Sequence, residues 1–220
     1  QAMELSPSHF SASRAAALAA AYLCYRRGNP SRGLALRGVR RARREDITDV
    51  GHKYHLELVL EDVPAKDMTL NCTAEVLYPL GSQKSAPDVQ FTLEGELRDT
   101  AEADNAFYNQ IKSLDQELVA EDIPDSQGNV PPALEPVHLL AWVASGYLIW
   151  QNSTENTKFQ LAQVKRVKQV PGHGCSQLLP FSSSVFSLQE IIPWQMRVLW
   201  HPQHGVQVTE DRHQPQHRLQ

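Results

Sequence analysis

The chain has 220 residues, of which 41% are hydrophobic and 21% are charged. That length allows one large domain or two small ones around a substantial core, and the composition is typical of a soluble globular protein. The net charge of −4 argues against nucleic acid or a membrane surface as the main partner. Three widely spaced cysteines, Cys24, Cys72 and Cys175, fit a reducing compartment better than a disulfide framework.

No segment has the pattern of a secretory leader or a membrane span. The first residues lack a basic start followed by a sustained apolar run. The longest apolar stretch, residues 137–150, is shorter than the roughly 20 residues that cross a bilayer. We therefore expect a cytoplasmic protein with no membrane partner. The basic cluster at residues 37–44 and the acid-rich stretch at residues 94–121 are expected to be solvated faces.

The first part of the chain predicts one helix followed by four strands. Ser6-Pro7 is typical of a helix start, and an alanine-rich segment then continues to Arg27, where Gly28 indicates the end. Apolar residues alternate with polar ones around residues 34–39, 52–61, 70–79 and 89–93, as in strands with one buried face. This order predicts an antiparallel sheet with the helix packed on one face.

The middle of the chain predicts a linker helix and then a second apolar helix. Phe107, Ile111, Leu114 and Leu118 recur at helical spacing, and by its order in the chain this helix belongs to neither sheet. Residues 123–132 are rich in turn-forming residues, and the second helix starts after them and continues to about residue 150. A strand pattern follows at residues 159–164.

The chain matches itself at a fixed offset, which indicates an internal repeat. Tyr22-Leu23 corresponds to Tyr147-Leu148, an offset of 147 − 22 = 125, and the same offset relates the first strand of each half, including a break in its alternation. We therefore predict an α+β fold with two tandem units, each a helix on a four-stranded antiparallel sheet, joined by the linker helix. The predicted boundaries are residues 1–98, 99–132 and 133–208, with a mobile tail at residues 209–220.

Residues 188–200 contain a segment with the pattern of a half-buried strand, preceded by a short apolar segment next to polar residues. From Trp194 to Trp200 the alternation predicts a strand with one buried face, whereas Ile191 and Ile192 stand next to polar residues and are followed by Pro193. Proline stiffens the residue before it, so the isoleucines either present an apolar surface to a partner or begin the buried strand. The repeat places residues 194–200 in the third strand of the second unit and residues 189–193 in the hairpin before it, which favours the exposed alternative.

The sequence carries no recognisable catalytic machinery. It has no nucleophile elbow, phosphate loop, dinucleotide fingerprint or zinc-protease His pair, so we expect no enzyme activity and no cofactor. Pairs of histidines at three- or four-residue spacing lie in predicted strands, turns or the tail, where their rings do not converge reliably, and we expect no metal. The basic residues around Arg41 and Arg166 fit either an anion site or the protection of strand edges.

Several long motifs, in order along the chain, resemble the latexin family of protein inhibitors of zinc metallocarboxypeptidases. The resemblance covers essentially residues 3–208. The motifs are Ser13-Arg-Ala-Ala16, His52-Lys-Tyr-His-Leu56, Asn71-Cys-Thr-Ala-Glu-Val-Leu-Tyr-Pro79, Ile123-Pro-Asp125, Gly128-Asn-Val130, Leu140-Ala-Trp-Val-Ala144, Trp150-Gln-Asn-Ser-Thr-Glu155, Val167-Lys-Gln-Val170 and residues 189–202. One departure is that residues 172–186 differ from the acidic and aromatic strand usual at this place in the family.

The resemblance implies two cystatin-like subdomains and reversible inhibition of A/B-type zinc metallocarboxypeptidases by a protein that is monomeric when free. It further implies that a loop of the second subdomain occludes the active-site funnel of the enzyme. The residues that match this loop are Gln189, Glu190, Ile191, Ile192 and Pro193.

Two alternative functions stay open. One is cystatin-type inhibition of cysteine proteases, although the Gln-x-Val-x-Gly signature of cystatin hairpins is missing and Gln169-Val-Pro-Gly172 matches it only faintly. The other is a matrix or scaffold role without inhibition, as in an eggshell relative of the same family. A fold shared with cystatins does not by itself transfer their function.

Overall fold

The computed structural model describes residues 1–81, 85–170, 177–187 and 190–213, without the side chains of residues 177–187, 190, 191 and 213. Within this part, the elements in chain order are β1 (Ala2–Leu5), α1 (Phe10–Arg27), β2 (Gly33–Ile47), β3 (Gly51–Val63), β4 (Thr69–Pro79), β5 (Asp88–Glu94), α2 (Ala101–Lys112), β6 (Val119–Ile123), a 3-10 turn (Pro132–Leu134), α3 (Glu135–Asn152), β7 (Phe159–Lys168), β8 (Gln177–Ser187), β9 (Glu190–His201) and β10 (Gly205–His213). None of the helices in these ranges is both long and apolar enough to cross a bilayer.

The strands form two antiparallel sheets with the same order. The first sheet runs β1-β2-β3-β4-β5 and the second runs β10-β9-β8-β7-β6 in space, so each sheet follows the chain order from one edge to the other. Below, the first sheet with α1 is called the first unit, and the second sheet with α3 is called the second unit. The mixed helix-and-sheet architecture agrees with the prediction from the sequence.

The described sheets have five strands each, which corrects the predicted number of four. The additional strands are β1 and β6, which lie at the edges next to β2 and β7. Both are short, and an edge strand needs little apolar sequence because one side faces solvent. β6 also changes the interpretation of residues 99–132, because part of that predicted linker belongs to the second sheet.

Two further boundaries differ from the prediction. The linker helix ends at Lys112, and Leu114, which the helical spacing had included, is 43% exposed. The predicted tail began at Thr209, but β10 continues to His213 and pairs with β9 as far as Trp194. A bulge between Val208 and Glu210 interrupts the alternation there, which hides the strand in the sequence. The other tail residues, 214–220, lie outside the described part.

The first long strand of each unit has the same irregularities. In β2 the register shifts between Leu36 and Gly38 and again between Val39 and Arg41. In β7 it shifts between residues 161 and 163 and between residues 164 and 166, each 125 positions later (161 − 36). The break in alternation that the sequence repeats is therefore a pair of bulges in each of these two strands.

Both helices contribute to one shared core. Buried residues of α1, α3 and both sheets form a continuous cluster, with Ala16, Leu23, Leu140, Tyr54 and Val198 among its members. The helices also contact each other: Tyr22 packs edge-on against Trp150, with ring centroids 4.8 Å apart. At their closest approach, a Cβ added to Gly146 would lie 2.2 Å from the carbonyl oxygen of Ala21. The two units are therefore joined through α1 and α3.

Cys72 is buried in this core, and Cys24 is buried in a second, smaller cluster with Leu34 and Val143. Burial raises the pKa of the Cys24 thiol to about 12 and that of the Cys72 thiol to about 11. A thiol with such a pKa is almost entirely protonated at neutral pH and is a poor nucleophile. Cys175 lies outside the described residues.

A polar network also connects the units. Glu155, in the loop between α3 and β7, accepts hydrogen bonds from the hydroxyl of Tyr54 at 2.5 Å and from Nδ1 of His52 at 2.7 Å. Arg44 lies 3.4 Å from the same carboxylate. Burial raises the pKa of Glu155, but these hydrogen bonds and charges outweigh it, so the net pKa lies below the ordinary value of 4.5. Glu155 is therefore ionised at neutral pH and attaches this loop to the first sheet.

We expect Gly146→Ala to destabilise the protein by about 1–3 kcal/mol, because the added methyl group forces α1 and α3 apart. The control is Gly38→Ala, since a Cβ at Gly38 meets no atom within 4 Å. Chemical denaturation followed by circular dichroism measures both. Equal stability of the two variants would contradict the close helix contact.

We expect Glu155→Gln to lower the free energy of unfolding by about 1–3 kcal/mol at pH 7, because it removes charge from a partly buried hydrogen-bonded network. The matched control is Glu121→Gln, whose carboxylate pairs with Arg166 at 3.7 Å with both side chains more than half exposed; we expect a change below about 0.5 kcal/mol.

The effect of Glu155→Gln should depend on pH with a definite sign. Because the folded-state pKa lies below the unfolded value, the stabilisation is present above pH 4.5 and is lost as the pH falls through the folded-state pKa. Denaturation curves of the wild type and the variant should therefore converge in acid. A difference that grows below pH 4.5 would be inconsistent with this network.

Candidate functional site

The predicted contact residues lie where β8 meets β9. The strands pair Ser187 with Glu190, Phe186 with Ile191, Val185 with Ile192 and Ser184 with Pro193. Glu190, Ile191, Ile192 and Pro193 are thus the first residues of β9, whereas the sequence analysis placed them in the hairpin loop before the strand. Gln189 lies outside the described residues. The strand therefore starts earlier than the sequence predicted.

At this end of β9, residues 190–193 pair with β8. On its other side, β9 pairs with the described residues of β10 from Trp194 to His201. The pairing with β8 holds the backbone of residues 190–193 in an extended form.

The rest of β9 is anchored in the core. Met196, Val198 and Trp200 are at most 3% exposed, whereas Gln195 is exposed. Successive strand residues point to opposite faces, so Ile192 shares a face with Trp194 and Met196, while Pro193 and Gln195 belong to the other face. Ile192 and Pro193 are half-buried. The strand therefore changes from a buried to a partly exposed environment at Trp194.

Residues 172–186, where the sequence departs from the family pattern, include most of β8. From Gln177 to Ser187 this strand is regular enough to pair with β7 on one side and β9 on the other. Its last residue, Ser187, pairs with Phe159 at the start of β7. The end of the β8–β9 hairpin is therefore next to the loop that carries Glu155.

The Glu155 network was not predicted as a feature of the site. Tyr54 and Glu155 are separated by 101 positions, and no spacing rule relates them. Both residues belong to motifs shared with the family, but those motifs alone indicate no contact between them. Their contact fixes the loop before β7, which lies beside the hairpin, to the first sheet. The first unit therefore supports the position of the candidate site.

The paired histidines His52 and His55 contact different acidic side chains and do not form a common metal site. His52 contacts Glu155, whereas His55 lies 3.1 Å from Glu45 and 3.2 Å from Glu75. In the part of the chain that the structure describes, no three His, Cys, Asp or Glu side chains converge as metal ligands would.

The basic strand residues pair with acidic residues of the neighbouring edge strands. Arg41 of β2 pairs with Glu4 of β1 at 2.6 Å. In the second sheet, Lys165 and Arg166 of β7 lie 3.4 Å and 3.7 Å from acidic residues of β6. Most of these side chains are more than half exposed, so each pair adds little stability. Their arrangement matches the edge-protection alternative.

Comparison with known proteins identifies the family. The model of the latexin family matches residues 5–218. Latexin of Mus musculus is 47% identical over 216 residues, covering 97% of each chain, and latexin of Homo sapiens is 46% identical with the same coverage. Ovocalyxin-32 of Gallus gallus is 35% identical over 75% of this chain and 60% of its own.

Among solved structures, mouse fetuin-B covers 99% of this chain and 72% of its own, with 13% identity and a TM-score of 0.32. A TM-score this low assigns no fold. The family assignment therefore depends on the sequence relatives, whose similarity extends over nearly the whole chain and confirms the resemblance of the motifs. The chain belongs to the latexin family.

Proposed function

We propose that this protein is a reversible, non-covalent inhibitor of zinc metallocarboxypeptidases of the A/B type and is not itself an enzyme. The two units then correspond to the tandem cystatin-like subdomains that the family resemblance implies. The observation that supports the proposal is that Glu190, Ile191, Ile192 and Pro193, which match the inhibitory loop of the family together with Gln189, are the first residues of β9 and pair with β8.

The geometry of the hairpin supports a role in contact with a partner. Carboxypeptidases bind the end of a peptide in a funnel, so an inhibitor must reach into it with a narrow segment. The two paired strands of the β8–β9 hairpin would provide such a segment. Because residues 190–193 are already extended and paired with β8, little conformational entropy is lost when they bind.

The residue types at this end suit the proposed partner. Ile191 and Ile192 would contact apolar surface at the rim of the funnel. Glu190 would approach the zinc ion or the arginines that hold the terminal carboxylate of a substrate. No peptide bond of the inhibitor needs to reach the catalytic position, so the inhibitor would escape cleavage.

We expect the wild-type protein to inhibit a purified A-type carboxypeptidase and to leave papain active. Replacing Glu190, Ile191 and Ile192 together by glycine should weaken the inhibition constant by about 2 kcal/mol or more, roughly 30-fold, because these residues would form the centre of the interface. Titration of the enzyme with each protein gives the constants.

The control replaces Met68, Thr69 and Leu70 by glycine at the start of β4, the strand of the first unit that corresponds to β9. Circular dichroism verifies that both variants are folded. Unchanged potency of the folded hairpin variant would contradict the role of the hairpin. Inhibition of papain alone would favour cystatin-type inhibition, and no effect of the wild type on either protease would favour a scaffold role.

Truncation separates the hairpin from insertion of the C-terminus as the inhibitory element. Since β10 continues to His213, the informative deletion removes residues 214–220 and keeps every described residue of β10. We expect the truncated protein to inhibit the same carboxypeptidase with unchanged potency. A loss of tenfold or more (about 1.4 kcal/mol) would mean that the tail occupies the enzyme. Deletion of the whole predicted tail from Thr209 would also remove part of β10 and could not distinguish these cases.

A further inference from the structure

A second concave surface lies at the other end of β9. It is a cleft of about 580 Å³ between the C-terminal end of α1 in the first unit and the β9–β10 turn in the second, with Asp104 of α2 at its edge. Small-molecule sites have volumes of roughly 300–1,000 Å³ and often lie between domains. Trp200 in the cleft and Glu190 in the hairpin are ten residues apart along β9, a distance on the order of 30 Å. The cleft is therefore separate from the proposed inhibitory hairpin.

The cleft is lined by more positive than negative side chains. Arg26 and Arg27, the last two residues of α1, line it and are exposed. Neither forms an ion pair with a carboxylate among the residues that the structure describes, and Arg27 lies over the ring of Phe91 at 5.6 Å. Both guanidinium groups can therefore bind an anion without giving up an internal ion pair.

The other charged side chains that line the cleft, Arg32 and Asp104, already form hydrogen bonds within the protein. Arg32 donates to the carbonyl oxygens of Arg27 and Arg98. Asp104, 4% exposed, accepts hydrogen bonds from the hydroxyls of Ser31 at 2.7 Å and Thr100 at 2.9 Å. Its negative charge is thus satisfied inside the protein and does not neutralise the two exposed arginines.

Flat and apolar groups form another wall of the cleft. Trp200 is 3% exposed, and its buried indole nitrogen has no hydrogen-bond partner among the described residues. The hydroxyl of Tyr25 accepts a hydrogen bond from the backbone of Val208 at 3.2 Å, and its own proton is available to donate. Pro202 and Val206 complete this wall. Aromatic and aliphatic surface beside cationic groups is typical of sites for anions that carry a ring.

We propose that this cleft binds a small organic anion, consisting of a carboxylate or phosphate group on a flat apolar ring. Arg26 and Arg27 pair with the anionic group, and Tyr25, Pro202 and Val206 contact the ring. Since the lining residues come from both units and from α2, the bound molecule bridges them. The site does not depend on the proposed inhibition of carboxypeptidases.

The test uses the full chain and three related probes: phenyl phosphate, benzoate and neutral benzamide. Calorimetry should detect saturable, roughly millimolar binding of at least one of the two anions and much weaker binding of benzamide. The relative affinities of phenyl phosphate and benzoate identify the preferred anionic group. The indole N–H resonance of Trp200, assigned with Trp200→Phe, should shift on binding.

The variant Arg26→Gln/Arg27→Gln should weaken anion binding at least about tenfold, because each arginine supplies a charge-assisted hydrogen bond. The matched control Arg37→Gln/Arg40→Gln makes the same change of charge at exposed positions of β2 and should retain the affinity. Three results would overturn the proposal: no saturable binding up to about 10 mM, equal binding of benzamide, or equal weakening by both double variants. If Arg26 and Arg27 only stabilised the C-terminal end of α1 through its dipole, replacing them would change the melting temperature and leave the affinity for the anions unchanged.

Discussion

The contact between α1 and α3 is the constraint on which the rest of the structure depends. A sheet with one apolar face needs a covering layer, and each unit supplies one helix for this purpose. The absence of a side chain at Gly146 allows the backbone of α3 to approach Ala21 closely, and aromatic residues such as Tyr22 and Trp150 close the sides of this contact. The result is one continuous core, so neither sheet is positioned independently of the other.

This shared core determines where the functional surfaces can lie. The proposed hairpin is at one end of β9 and the cleft at Trp200 is at the other, while Met196 and Val198 between them are buried in the core. Both surfaces also depend on the first unit: the hairpin is next to the loop that Glu155 attaches to the first sheet, and the cleft includes the end of α1. Neither surface could be complete in an isolated second unit.

Residues that alternate between core and solvent were predictable from the sequence. The alternation at residues 70–79 and 194–200 predicted two strands, and their buried residues include Ala74, Val76, Tyr78, Met196, Val198 and Trp200. Strands at sheet edges were not predictable, because β1 and β6 have only four and five residues and need no continuous apolar face. The same limitation applied to the end of β10, where the bulge at Val208 breaks the pattern.

Less of the candidate site than of the fold could be predicted from the sequence. Spacing and composition indicated only that Ile191 and Ile192 lie next to a strand, and the class of partner came entirely from the family resemblance. Contacts between distant positions, such as Tyr54 with Glu155, leave no local signal because they depend on how the two units pack. The cleft at Trp200 combines residues from three segments for the same reason.

This arrangement separates residues that contact a partner from residues that support those contacts. A domain with about 5 kcal/mol of stability that loses about 2 kcal/mol still has a folded-to-unfolded ratio above 100, so its population of binding-competent protein hardly changes. A substitution at Glu155 should therefore act mainly on the melting temperature, unless the loop before β7 moves the hairpin. In that case the inhibition constant would change at temperatures where the protein is fully folded. Comparing the two quantities in one variant thus measures how rigidly the first unit positions the hairpin of the second.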